Sequence, residues 1–200
     1  ERAVKMIISQ LQSGNVGVDE LRTQLIEMIK KDRKILDVAL KEINKLQQAS
    51  SGNINLQILK VWLWSELGDH EKAVKELIRI DQQNEAGGKQ VVGFAYNLEN
   101  RGLQTYALPI YEYLMSLGKD NYFYIEAKRR SLWIQYHLLN DASTMVQKQD
   151  LLAQYEAYLK EESNTATAIL YAQYADLLVM VQKDYTAAIT YLEQAIKESA

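Results

Sequence analysis

Two hundred residues, 48% of them apolar and 24% charged, can bury a substantial core and are too apolar for a disordered segment. A formal net charge of -3 built from interspersed acidic and basic positions offers no broad positive field for nucleic acid phosphates, so nucleic acid is disfavoured as a partner. Zero cysteines exclude disulfides, thiolate metal ligands and a cysteine nucleophile, and no apolar run of about 18 residues could span a bilayer.

One proline and 9 glycines leave few backbone breakers among many good helix formers, and no sustained two-residue alternation marks a hairpin sheet. The expectation is an all-α chain. Val4, Ile7, Ile8 and Leu11 share one face of a first helix that Ser13-Gly14-Asn15 stops. Asp19 is placed as the cap of a second helix reaching about Ile29, with Leu21, Leu25, Met28 and Ile29 as its stripe. A charged turn from Lys30 to Lys34 leads to a third helix carrying Ile35, Leu36, Ala39, Leu40, Ile43 and Leu46, ended by Ser50-Ser51-Gly52.

From Asn53 an apolar helix runs through Leu67, turns at Gly68-Asp69, and is followed by a helix with Ala73, Val74, Leu77, Ile78 and Ile80. Thirty-four residues later the pattern returns. Gly68, Ala73, Leu77 and Ile80 recur as Gly102, Ala107, Tyr111 and Leu114, and Trp62 and Trp64 recur as Tyr96 and Leu98. A fixed period of this length marks one helical hairpin copied along the chain, each copy burying its apolar face by stacking on its neighbours. The stretch from Gly118 to Asn164 is about a dozen residues longer than such a unit and reads as a hairpin of two lengthened helices, about 121–139 and 142–161. A last unit places Tyr171, Tyr174 and Ala175 before an Asp184-Tyr185 turn and Ala188, Leu192 and Ala195 after it.

This pattern resembles the tetratricopeptide repeat family, strongly over 54–118 and 168–200 and weakly over 1–50. The resemblance implies a right-handed superhelical solenoid of antiparallel helix hairpins, with about eleven helices in one domain. Its parts are degenerate hairpins 1–52, clear repeats 54–87 and 88–118, a lengthened hairpin 119–163 and a terminal repeat 164–200. The family's late proline is absent, and Pro109 instead falls within the second helix of its unit, where it should start or kink that helix.

No chemistry-bearing constellation emerges. His70 stands at a turn and His137 in an apolar helix, neither with a second His or Cys at ligand spacing, so both are read as packing or turn residues. Asp19-Glu20 and Glu161-Glu162 are adjacent helical residues that point about 100 degrees apart, which suits solvated surface better than acid-base work. Gly87-Gly88 belongs to no phosphate-loop motif and reads as a helix stop. Lys128-Arg129-Arg130 is the densest basic cluster, able to turn one cation toward a groove, and most of the 13 tyrosines recur at helical spacing, mainly as packing residues with a minority left to line a surface.

The resemblance further implies that the first helix of each hairpin lines the inner surface. The candidate partner-binding residues are therefore Asn55, Trp62, Glu66, Lys89, Tyr96, Glu99 and Asn100, with Arg130 as the added cation. Ile58, Trp62, Val92 and Tyr96 stand where family members that clamp a terminal carboxylate carry Lys and Asn, which argues against chaperone-tail binding. The implied function is a non-catalytic protein-interaction scaffold without cofactor or metal. The rival readings are small-ligand or glycan binding in an aromatic-lined pocket and self-association. The start at Glu1 rather than methionine suggests a mature or truncated piece, with cytoplasmic and exported origins equally open.

Overall fold

The computed structural model describes residues 2–13, 17–49 and 53–199, without the side chains of 11–13. The expected stops at Gly14-Asn15 and Ser50-Ser51-Gly52, and the packing of Leu11, lie outside that description. Among the described residues the fold is all-helical: α1 Arg2–Ser13, α2 Val18–Lys31, α3 Lys34–Ala49, α4 Ile54–Leu67, α5 His70–Gln83, α6 Lys89–Asn100, α7 Gln104–Ser116, α8 Tyr124–Leu138, α9 Met145–Glu161, α10 Ala168–Gln182 and α11 Tyr185–Glu198. A single 3₁₀ turn, Ser163–Thr165, precedes α10. The chain falls into two compact units, 1–94 and 95–200, whose boundary lies within α6.

In the first unit α1 to α4 pack around an aliphatic core of Val4, Ile8, Leu21, Leu25, Leu36, Ala39, Ile43, Leu56, Leu59 and Leu63. Asp19 does not cap α2. Gly17 takes the extended cap conformation, and Asp19 sits inside the first turn, 3.3 Å from Arg22, where its charge complements the helix N-terminus. Asn53 caps α4 through its side-chain oxygen, which accepts from the amides of Asn55 and Leu56.

The 34-residue period has a backbone counterpart. At the end of α4 the Gly68 amide donates to Ser65 O and the Asp69 amide to Trp64 O. At the end of α6 the Gly102 amide donates to Glu99 O and the Leu103 amide to Leu98 O. Both are Schellman closures, and both place glycine at positive φ, 94° and 73°. The last hairpin makes the same reversal with a non-glycine residue: Lys183 adopts φ 58° between α10 and α11, and Asp184 caps α11 by accepting from the Ala187 amide. Gly87-Gly88 is not the stop of α5. The helix has already ended at Gln83, and Gly88 donates its amide to Asp81 Oδ2 across the loop that leads to α6.

The second unit is built around Leu132, Leu151, Leu152, Leu170, Leu177 and Leu178 together with Tyr155, Tyr158, Tyr171 and Tyr174. Its lengthened hairpin is α8 and α9, with a Thr144–Gln147 capping box at the head of α9. Pro109 neither starts α7 nor ends it: it is the sixth residue of a helix that runs on to Ser116. His70 and His137 are both tied locally, His70 Nδ1 lying 3.1 Å from Ser65 Oγ and His137 Nδ1 lying 2.8 Å from Trp133 O.

Candidate functional site

The eight candidate residues divide between the units. In the first, Asn55 is exposed on the opening turn of α4, Lys89 is exposed at the head of α6, and Glu66 is half-buried near the end of α4. Trp62 is only 8% exposed. Its ring meets Phe94 edge-on with centroids 4.6 Å apart, and the Arg22 guanidinium of α2 lies 3.9 Å from its centre. Stacking and a cation over the face both stabilise this packing, and they leave little of the indole for a partner.

In the second unit three candidates meet. Arg130 donates from its Nε to Glu126 Oε1 at 2.5 Å and from Nη1 to Glu99 Oε2 at 3.0 Å, while its guanidinium lies 4.4 Å from the centre of the Tyr96 ring. Glu99 accepts a second bond from the hydroxyl of Tyr111, a residue with no exposed surface. Burial raises the Tyr111 pKa, and the bond to Glu99 and its charge raise it further; burial and the nearby Glu126 charge raise that of Tyr96. For Arg130, burial opposes the charged form, but the Glu126 bond and the Glu99 charge outweigh it and the pKa rises. The cluster ties α6, α7 and α8 together. Asn100, exposed at the end of α6, stands outside it.

Arg129, one residue earlier, is placed differently. It shares Glu126 with Arg130 through Nη2 and has no second carboxylate among the described residues, although its side chain is as open as that of Arg130, 36% in each. Two concavities border it. One, of about 290 Å³, is lined by Glu99, Arg129, Arg130, Trp133, Thr167, Ile169 and Leu170. The other, of about 480 Å³, is lined by Tyr96, Tyr122, Phe123, Ile125, Glu126, Arg129 and Thr165, and Tyr122 stands at its rim with 90% of its surface free. The groove thus combines a partly compensated cation with indole, phenol and branched aliphatic surface.

Among the described residues no group of three or more His, Asp or Glu side chains is placed to hold a metal ion, and no helix is long and apolar enough to cross a membrane. The fold is similar to that of a crystal structure of MamA protein, with a TM-score of 0.50 and 11% identity over 90% of this chain and 91% of that one. The crystal structure of a tetratricopeptide repeat protein from Parabacteroides merdae ATCC 43184 also matches, with a TM-score of 0.33 and 14% identity over 100% of this chain and 94% of that one. The chain has a TPR-like helical repeat fold. No family model and no curated protein matches the sequence.

Within this TPR-like fold the groove residues that sequence reasoning passed over are Trp133, Ile169 and Leu170, and of the Lys128-Arg129-Arg130 cluster it chose Arg130 where Arg129 borders both concavities. A signal for part of the set exists, since Trp133 follows Arg129 by four residues and Arg130 by three, which puts all three on neighbouring positions of one helical surface. Nothing local connects them to Ile169 and Leu170, which α10 supplies.

Proposed function

We propose that this chain is a non-catalytic protein-interaction module, and that its partner is a peptide segment carrying an acidic residue beside a large apolar one. The observation that supports this reading is the asymmetry of the two arginines. The two side chains are equally open, at 36%, but Arg130 is held by two carboxylates and a tyrosine ring, whereas Arg129 shares one of those carboxylates and borders both concavities. An acidic side chain could pair with Arg129 while its neighbour covers Trp133 and Ile169. Aromatic and arginine anchors of this kind carry most of the energy at protein interfaces. Asn55, Lys89 and Asn100 are exposed and remain candidates for rim contacts, while Trp62 is assigned to packing.

The test is selection of peptides from a random displayed library, followed by binding of the enriched sequences to Arg129→Glu and Trp133→Ala variants shown by circular dichroism to keep their helix content. Enrichment of acidic-apolar sequences that lose at least about tenfold in affinity on both variants supports the assignment. Absence of enrichment, or equal binding by the variants, removes it.

A further inference from the structure

Helix α11 presents two different faces. Ala188 and Ala195 are buried against α10, with Tyr191 stacked on Tyr171 and edge-on to Tyr174. A second face carries Tyr185, Ile189, Leu192 and Ile196, which are 60%, 56%, 45% and 71% exposed. Their spacing of four, three and four residues makes one continuous apolar stripe along the full helix. Apolar patches of this extent on a folded surface mark interaction sites.

The stripe is complementary to itself. In an antiparallel helix pair centred between residues 190 and 191, residues whose numbers sum to 381 stand level with each other. Tyr185 then stands level with Ile196 of the other helix, and Ile189 with Leu192. Lys197 and Glu198 stand more than about 100° from the middle of the stripe, so the facing surface is apolar. A parallel pairing would instead lay the two helix dipoles side by side in the same direction, which is unfavourable. We propose that this face joins two copies of the chain, α11 packing antiparallel on α11 about a two-fold axis level with the Thr190–Tyr191 peptide.

The size of the contact fits this occupant. The exposed parts of the four side chains amount to roughly 500 Å² on each copy, hence about 1,000 Å² for the pair, the lower end of what a specific interface requires. The contact is isologous, so it closes at two copies and cannot propagate into a filament. Its small area calls for a reversible dimer whose population changes across the micromolar range.

Sedimentation equilibrium at rising concentration should show the mass climbing from one chain to two. Leu192→Glu, a change at an exposed position, should leave the helical dichroism intact and weaken association by at least about tenfold, because each copy then sets a carboxylate against Ile189 of the other. Arg129→Glu should leave the dimer unchanged, so the fate of the groove reading does not decide this one. The register is tested by cross-linking, which the cysteine-free chain makes direct. An equimolar mixture of Tyr185→Cys and Ile196→Cys chains should form a disulfide between unlike chains. Neither variant alone should, because like positions lie 11 residues, or about 16 Å, apart along the axis, beyond disulfide reach. A mass that stays at one chain, association indifferent to Leu192→Glu, or equal cross-linking by a single variant overturns the proposal. The first of these outcomes would leave the stripe to a different protein.

Discussion

The two units are made of the same helical hairpins and filled with different matter. All 13 tyrosines lie beyond Phe94, so the second unit contains every phenol in the chain and the first contains none. The cluster shared by α1 to α4 in the first unit, beside the Trp62–Phe94 pair, is closed by Leu, Ile, Val and Ala, which cohere through dispersion and burial without preferred direction. In the second, hydroxyls reach across helices: Tyr155 donates to Leu132 O at 3.2 Å and Gln173 Oε1 at 2.8 Å, Tyr111 to Glu99, and Tyr136 to Asp176 at 2.6 Å. One repeat architecture therefore tolerates a core that specifies only volume and a core that also specifies donor and acceptor positions.

That contrast can be broken in order of expected effect. Leu59→Ala in the first unit should cost about 2–5 kcal/mol in urea unfolding, the range for deleting a fully buried leucine. Tyr155→Phe removes no packing volume but leaves the side-chain oxygen of the buried Gln173 without that donor, and should cost about 1–2 kcal/mol, an effect with no counterpart among the leucines.

Alkali should separate the units without mutation. Burial and the Asp176 bond push Tyr136 up to about 12, and burial and the neighbouring Tyr191 push Tyr174 up to about 12. Their unfolded value is about 10. The folded state holds these protons where the unfolded state has released them, so the stability they contribute is full below pH 10 and is lost as pH rises toward 12. Thermal unfolding followed between pH 9 and 12 should show tyrosine-containing helices losing stability; a flat profile would remove the burial assigned to these phenols. The smallest effect is expected at the last turn. Lys183→Gly should raise stability by about 0.5–1 kcal/mol by relieving a left-handed lysine, whereas Gly68→Ala should lose about as much at the equivalent turn.

The hairpins were readable because their signals are local. A glycine at positive φ with a helical stripe on either side marks the closures at Gly68 and Gly102, and α8 and α9 lie within three residues of the helices expected over 121–139 and 142–161. The last reversal announced itself through Asp184 rather than through Lys183, because lysine carries no preference for the left-handed region. The fate of Trp62 was not readable. Helix α4 buries Val61, Trp62 and Leu63 in succession, so periodicity assigns no unique inner face, and the guanidinium over the ring comes from Arg22, 40 positions earlier. Arg130 had one local clue, Glu126 four residues before it, while Glu99 and Tyr96 join it only through the packing of α6 on the later helices. Charge patterns record neighbours on one helix, and the partners that decided both sites lie on others.

Pro109 has a consequence for how the backbone opens. Lacking an amide hydrogen, it cannot bond the Thr105 carbonyl four residues back and interrupts the ladder of α7. The turn ahead of it hangs on few bonds, among them those from the Tyr106 and Ala107 amides to Leu103 O. Amide protons from 104 to 108 should therefore exchange with solvent ahead of those from Ile110 onward. The opening turn of α7 can come apart and reclose while Tyr111, behind the gap, stays bonded to Glu99.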